Sequence, residues 1–282
     1  MTPRQGTLAL AVVAVVWGAS FTIIKLALRD ASPVTFLAVR FLLATLPLVL
    51  VLRALGPAEW LAGAVLGLFF WGGFVFQTAG LAHTTPARSA FITGLSTPLV
   101  PLVAFAWDRT RPPPLLLAGI VLALAGSWFL TDPRGGGLNR GDLLTLGCAA
   151  AFACQIVAAG HAARRVSPVR LLAVQLALTG VLSAASAPVL ETPRLHPTPA
   201  LGAALVFLAA TAIATFWAQL RAQRVVSPST TALIFALEPV AAAATSWAVL
   251  GETLAAAQLG GAALVLAGTL LPELPLGRRA GA

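Results

Sequence analysis

The chain has 282 residues, 59% of them hydrophobic and 10% charged, with 18 Lys and Arg against 9 Asp and Glu and a mean hydropathy of +0.92. A soluble globule carries about 25% charged residues, so this composition excludes a water-covered domain; it equally excludes a disordered chain, a collagen-like repeat and a disulfide-rich secreted scaffold. What remains is a polytopic membrane protein, and the net charge of +9 reads as basic loops that orient helices rather than as a nucleic-acid surface.

A spanning helix needs about 20 mostly apolar residues, and the apolar runs predict ten helices, near 8–28, 34–52, 60–82, 87–107, 113–130, 141–163, 169–190, 200–221, 229–250 and 254–271. The first carries Trp17 and Ser20, three residues apart and so on one face, and Lys25 near its outer end, where a lysine can snorkel. With no convincing small-x-small cleavage site it reads as a retained span rather than a signal peptide. The second starts at Ser32-Pro33, a hydroxyl N-cap before a proline at the first helical position. It holds Arg40 about 9 Å from its outer end by helical rise. Arg40 either binds a substrate carboxylate or ties helices together by donating to carbonyls; the structural role is preferred. The third carries Phe74 and Gln77 on one face, and Gly63 and Gly67 in a GxxxG that serves either a second chain or packing within this one.

The fourth starts at Thr85-Pro86 and sets Ser89, Thr93 and Ser96 at i, i+4, i+7. In the sixth, Phe152 and Gln155 repeat the aromatic-then-polar pair of the first, and His161 lies near the inner end. Cys148 and Cys154, six residues apart in the same run, have Cα atoms about 9 Å apart, too far for a disulfide. The seventh starts at Ser167-Pro168. In the eighth, Thr211, Thr215 and Gln219 form a stripe beside Phe216. The ninth starts at Ser227-Pro228 and holds Glu238, the one carboxylate deep within a span, about 13 Å from its start. Glu238 is either a proton-coupling group or a packing hydrogen bond beside the Pro239 kink; packing is preferred, because no relay partner exists in the sequence. Trp60, Trp107 and Trp247 near span ends read as interfacial anchors. Neither CxxC nor HExxH occurs, and no metal or other cofactor is expected.

An internal repeat organises these helices. Ser32-Pro33-Val34 and Leu37-Ala38-Val39 recur 135 residues later as Ser167-Pro168-Val169 and Leu172-Ala173-Val174. Phe74, Gln77, Pro86, Leu95, Gly119 and Gly126 recur 142 residues later as Phe216, Gln219, Pro228, Leu237, Gly261 and Gly268. The seven extra residues fall in the longer loop from Glu191 to Pro199. The other long connection, Thr131 to Arg140 with Gly135-Gly136-Gly137, divides the chain into residues 1–134 and 135–282, two five-helix repeats of one integrated transmembrane domain. Repeats with an odd number of spans lie upside down relative to each other. With the N-terminus in the cytoplasm, the cytoplasmic segments hold Arg4, Arg53, Arg109, Arg111, Arg164, Arg165, Arg170, Arg221, Arg224, Arg278 and Arg279, whereas the opposite side holds Arg29, Arg88, Arg134, Arg140 and Arg194. That bias predicts both termini inside.

Trp17-Gly18-Ala19-Ser20-Phe21 with Lys25 resembles the first-helix signature of EamA-type exporters of the drug/metabolite transporter superfamily. Pro33 with Arg40-Phe41 resembles their second helix, and Leu237-Glu238-Pro239 with Leu250-Gly251-Glu252 resembles their ninth helix and the turn after it. The glycine-spaced tenth helix also fits, so the resemblance covers essentially the whole chain. It implies an all-α polytopic protein with ten transmembrane helices as two inverted five-helix repeats around a central cavity. It also implies export of small metabolites, with the aromatic amino acid and metabolite exporters as the most similar subgroup. The chain departs from the pattern after the fourth helix, where Asp108-Arg109-Thr110 replaces the expected Gly-Glu, which puts a symmetric role for Glu252 in doubt.

A polar side chain within a span must face protein or a water-filled cavity. Trp17, Ser20, Phe74, Gln77, Ser89, Thr93, Ser96, Phe152, Gln155, Thr215, Phe216 and Gln219 are therefore expected to converge on a midplane cavity with aromatic walls and neutral hydrogen-bonding groups. Such a cavity suits a zwitterion or an amphiphilic small molecule. The competing role for each Ser and Thr is helix glue or back-bonding to the i−4 carbonyl; Glu238, Arg40 and Lys25 are coupling or structural charges. The expected protein is a multi-pass exporter of amino acids and related metabolites in a bacterial inner membrane. It is not an enzyme, and its partners are its substrate and the bilayer, not nucleic acid. A nucleotide-sugar carrier, which needs a basic cavity, or another metabolite carrier of the same superfamily is the alternative. An intramembrane hydrolase using Ser96 in Gly94-Leu95-Ser96 with His161 as base is more remote, because the two lie at different depths.

Overall fold

The computed structural model describes residues 1–109, 111–131, 139–250 and 255–273. The helices are α1 (Pro3–Ala27), α2 (Pro33–Thr45), α3 (Val49–Arg53), α4 (Pro57–Ala82), α5 (Pro86–Gly94), α6 (Ser96–Asp108), α7 (Pro114–Thr131), α8 (Arg140–Arg165), α9 (Pro168–Leu190), α10 (Pro199–Ala222), α11 (Pro228–Phe235), α12 (Glu238–Leu250) and α13 (Ala256–Leu270). The described helices fall on the predicted apolar runs. Eight stretches are long and apolar enough to cross a membrane, with α2–α3, α5–α6 and α11–α12 each acting as one; Pro114–Phe129 and Ala256–Leu270 are shorter apolar helices. The division at residues 134 and 135, the glycine triplet 135–137, Thr110 and Glu252 lie outside the described residues.

Proline sets most helix starts, since its fixed φ suits the first turn and its missing N–H is an orphan there anyway. Thr85, Thr198 and Ser227 complete the start by accepting a backbone N–H three residues on. Ser32 and Ser167 occupy the N-cap position without doing so. At Ser32 the cap comes from across the fold. The Glu191 carboxylate accepts from the Val34 N–H at 3.0 Å, the Thr35 N–H at 2.8 Å and the Ser32 hydroxyl at 2.6 Å. A carboxylate at a helix N-terminus also complements the helix dipole, so the longer 191–199 loop is anchored to the start of α2. Arg109, where the family pattern leads one to expect glycine, ends α6 at φ 56°, a left-handed conformation that glycine adopts without Cβ strain.

The two halves interlock through close helix crossings. In α7 and α13, a Cβ on Gly119 would lie 2.6 Å from the Gly268 carbonyl oxygen, and one on Gly126 would lie 2.6 Å from that of Gly261. The two helices therefore run antiparallel with their backbones in contact. α4 lies along α8, and α1 along α10. A Cβ on Gly63 would meet Val174, and one on Gly67 would meet Leu178, so this GxxxG packs against α9 within the same chain. The α5–α6 and α11–α12 helices break at matching places. Leu95 N–H bonds Ile92 O and Leu237 N–H bonds Ile234 O, both at 3.1 Å. These are i→i−3 bonds, the tighter winding of a 3₁₀ turn.

Candidate functional site

A cavity lies where α1, α2, α4, the α5–α6 break, α8, α10 and the α11–α12 break meet. Trp17, Ser20, Phe74, Gln77, Thr93, Ser96, Phe152, Gln155, Phe216, Gln219, Arg40 and Glu238 line it, together with Phe21, Ile24, Ile156 and Phe235. Its aromatic wall is continuous. Trp17 packs on Phe216 at 4.7 Å and on Phe235 at 4.8 Å, Phe74 on Phe152 at 5.3 Å, and Phe74 on Phe216 at 5.9 Å between ring centroids. The tilted and edge-on geometries are those that the ring quadrupoles favour.

The polar groups divide unequally between the halves. Gln77 donates to Thr93 Oγ1 at 3.3 Å, and the Thr93 hydroxyl is 3.8 Å from Cys148 Sγ. On the other side four amides form a chain. Gln155 Nε2 donates to Gln175 Oε1 at 3.2 Å, Gln219 Nε2 to Gln155 Oε1 at 3.3 Å and to Gln223 Oε1 at 3.1 Å, and Gln223 Nε2 to the Ile156 carbonyl at 2.8 Å. The Gln219 Oε1 is buried with no partner among the described residues. Gln223 escaped the sequence reading, although it stands one turn beyond Gln219, at the C-cap of the same helix; Phe235 was discoverable as the repeat counterpart of Thr93.

Several expectations need correcting. Ser89 is fully buried and does not line the cavity, because its face of α5 turns into the helix packing. Thr215 is not in the wall either. Its hydroxyl accepts from Trp17 Nε1 at 2.8 Å and donates to the Thr211 carbonyl at 2.7 Å, so it orients the indole that is. The Lys25 ammonium donates to the carbonyls of Leu81, Ala82 and Thr84 at 2.6, 3.2 and 2.8 Å, at and just beyond the end of α4, where carbonyls lack intrahelical donors. Glu238 makes no packing hydrogen bond or ion pair among the described residues, and it faces the cavity instead. Arg40 does tie helices, through Nε to the Leu208 carbonyl at 3.3 Å, yet it also lines the cavity. His161 is bonded to the Val157 carbonyl and to Asp108, both at 2.8 Å, and stacks on Trp107. Among the described residues no group of three His, Cys, Asp or Glu could hold a metal ion.

Because Thr215 supplies the acceptor for Trp17, Thr215→Val is expected to leave the indole N–H unpaired and to cost about 1–3 kcal/mol. Indole fluorescence should move with it, since the ring loses its fixed partner. A variant with unchanged stability and an unchanged spectrum would contradict this role.

Apolar helices of spanning length around an aromatic, polar-spotted cavity define a multi-pass membrane transporter. The EamA-like transporter family matches the chain twice, over residues 4–131 and 139–272, and the chain belongs to that family. It is 33% identical over 270 residues to an uncharacterized transporter of Archaeoglobus fulgidus, covering 95% of this chain and 85% of the relative. It is 32% identical over 294 residues to a probable amino-acid metabolite efflux pump of Salmonella typhimurium, covering 95% and 94% respectively. A crystal structure with 22% sequence identity aligns with a TM-score of 0.78 over 96% of this chain and 98% of its own, a likeness of fold.

Proposed function

We propose that this protein exports amino acids and related amphiphilic metabolites across a bacterial inner membrane by alternating access. Its ten helices act as two inverted five-helix repeats, residues 1–134 and 135–282, with both termini in the cytoplasm. The observation that carries this reading is the pairing of repeat counterparts in one cavity wall: Phe74 with Phe216, Gln77 with Gln219, and Trp17 with Phe152. The swapped crossings of Gly119 on Gly268 and Gly126 on Gly261 support an axis relating the halves. A site shared by two such halves is reached from either side when one half rocks against the other, and the matching breaks at Leu95 and Leu237 supply places for that motion.

The excess of arginine on one set of loops supports the orientation, and the efflux pump of Salmonella typhimurium supports the substrate class. A nucleotide-sugar carrier is the weaker reading, because among the described residues Arg40 is the one cationic side chain in the wall and a diphosphate needs several. Catalysis is weaker still, because both ring nitrogens of His161 are engaged away from Ser96.

Purified protein in liposomes should exchange labelled aromatic or branched amino acids and should ignore nucleotide sugars; the reverse preference would overturn the reading. Gln77→Ala is expected to weaken amino-acid competition by about 1–3 kcal/mol with little loss of stability, because among the described residues Gln77 has the single hydrogen-bond partner Thr93. Gln219→Ala should reduce both competition and stability, since it opens the middle of the four-amide chain. Lost stability with unchanged competition in both variants would make the amides mere struts.

A further inference from the structure

Arg40 and Glu238 are opposite charges in one cavity wall that are not paired with each other. Arg40 is 3% exposed and Glu238 is 7% exposed, and no ion pair joins them. The guanidinium has five N–H donors. Nε is used on Leu208, and the buried Nη1 has no hydrogen-bond partner among the described residues. The cation also sits 5.0 Å from the centre of the Phe41 ring and 5.4 Å from that of Phe74, where cation–π attraction compensates part of its lost hydration. The Glu238 carboxylate, on the first turn of α12, has neither a hydrogen bond nor an ion pair among the described residues. Unpaired charges within a membrane protein are costly and mark substrate pathways.

We propose that these are two separate poles that hold the carboxylate and the ammonium of one free α-amino acid, whose side chain lies against the aromatic wall. The proposal rests on the export reading above and names the part of the substrate that the site requires. A zwitterion satisfies both poles at once, and the loaded cavity then carries no net charge. An amine lacking the carboxylate leaves Arg40 uncompensated, and an acid lacking the amine leaves Glu238 uncompensated. The poles also break the symmetry of the repeat. The counterparts of Arg40 and Glu238 are Gln175 and Ser96, both neutral, so a pseudo-symmetric cavity accepts the amino acid in one orientation. Charge-assisted hydrogen bonds to a carboxylate are roughly twice as strong as neutral ones, so each pole contributes measurable selectivity.

Exchange of labelled phenylalanine in liposomes, competed by unlabelled phenylalanine, phenethylamine or 3-phenylpropionate, tests this directly. The wild-type protein is expected to prefer phenylalanine over either analogue by about tenfold or more. Arg40→Gln should collapse the preference over phenethylamine and keep the preference over phenylpropionate, and Glu238→Gln should do the reverse. This crossed pattern is read as ratios within one preparation, so a smaller folded fraction cannot produce it. The wild-type comparison needs no variant at all. Equal competition by all three compounds would leave export standing and overturn the two poles, as would a variant that loses or keeps both preferences together. Absence of exchange with phenylalanine and with every other amino acid would overturn the export reading itself, and the poles with it.

Discussion

Asp142→Ala is expected to destabilise the protein by about 3–5 kcal/mol, the range for removing one partner of a buried ion pair. The Asp142 side chain is 0% exposed and lies 2.7 Å from Arg88 Nη2. It also accepts from the Thr84 hydroxyl at 3.2 Å and from the Asn139 backbone N–H at 3.0 Å. One carboxylate thus joins the start of α5 to the start of α8, across the two halves, while its Asn139 contact closes the capping box of α8. Truncation removes a counter-charge from the largely buried Arg88. Thermal unfolding of purified protein in detergent measures the loss. The Arg88→Ala and Asp142→Ala double variant should be less damaged than the sum of the single variants by more than about 0.5 kcal/mol, the coupling expected of residues in contact. A loss for Asp142→Ala below about 1 kcal/mol would place the pair in the range of surface salt bridges.

Gly268→Leu is expected to cost about 3 kcal/mol or to prevent the native fold, whereas Gly260→Leu on the same helix should be neutral or mildly stabilising. A Cβ on Gly268 would lie 2.6 Å from the Gly119 carbonyl oxygen and 2.7 Å from the Ala123 amide nitrogen. Both are backbone atoms, which cannot swing aside as a side chain can, so α7 and α13 must separate; overpacking of this kind costs about 1–3 kcal/mol and sometimes more. Gly260 has nothing within 4 Å, and there the change replaces glycine by a helix former worth up to about 1 kcal/mol. The yield of monodisperse protein and its melting temperature read out the contrast. Similar behaviour of the two variants would mean that the α7–α13 crossing does not carry the fold. Close approach matters here because in lipid there is little hydrophobic drive between helices, and packing supplies the association.

Helix positions were legible because the signal is local. A run of about 20 apolar residues with Ser-Pro or Thr-Pro at its start needs no partner to be recognised, and the starts of α2, α5, α9 and α11 lie at those dipeptides. The repeat was legible because Gln77 and Gln219 stand the same distance before Pro86 and Pro228, and both amides line the cavity. Side-chain direction was legible where an i, i+3 or i, i+4 stripe is continued by a neighbouring helix, as with Trp17 and Ser20 or Thr93 and Ser96. The stripe that contains Ser89 also contains Thr93 and Ser96, and a stripe alone does not say where the facing helix stops and the cavity begins.

The sequence by itself determined that this chain is a bundle of apolar helices in two related halves, and which faces carry aromatic and amide groups, because hydropathy, helical period and repeat spacing are properties of neighbouring residues. The tertiary structure alone decided what the isolated charges do. Lys25 caps the carbonyls at the end of α4, Asp142 binds Arg88 across the halves, Glu191 caps α2 from a distant loop, and Glu238 faces the cavity with no partner among the described residues. The partners of Lys25, Asp142 and Glu191 lie dozens of residues away in the chain, and a charge in lipid takes whichever complementary group the packing of helices brings within reach.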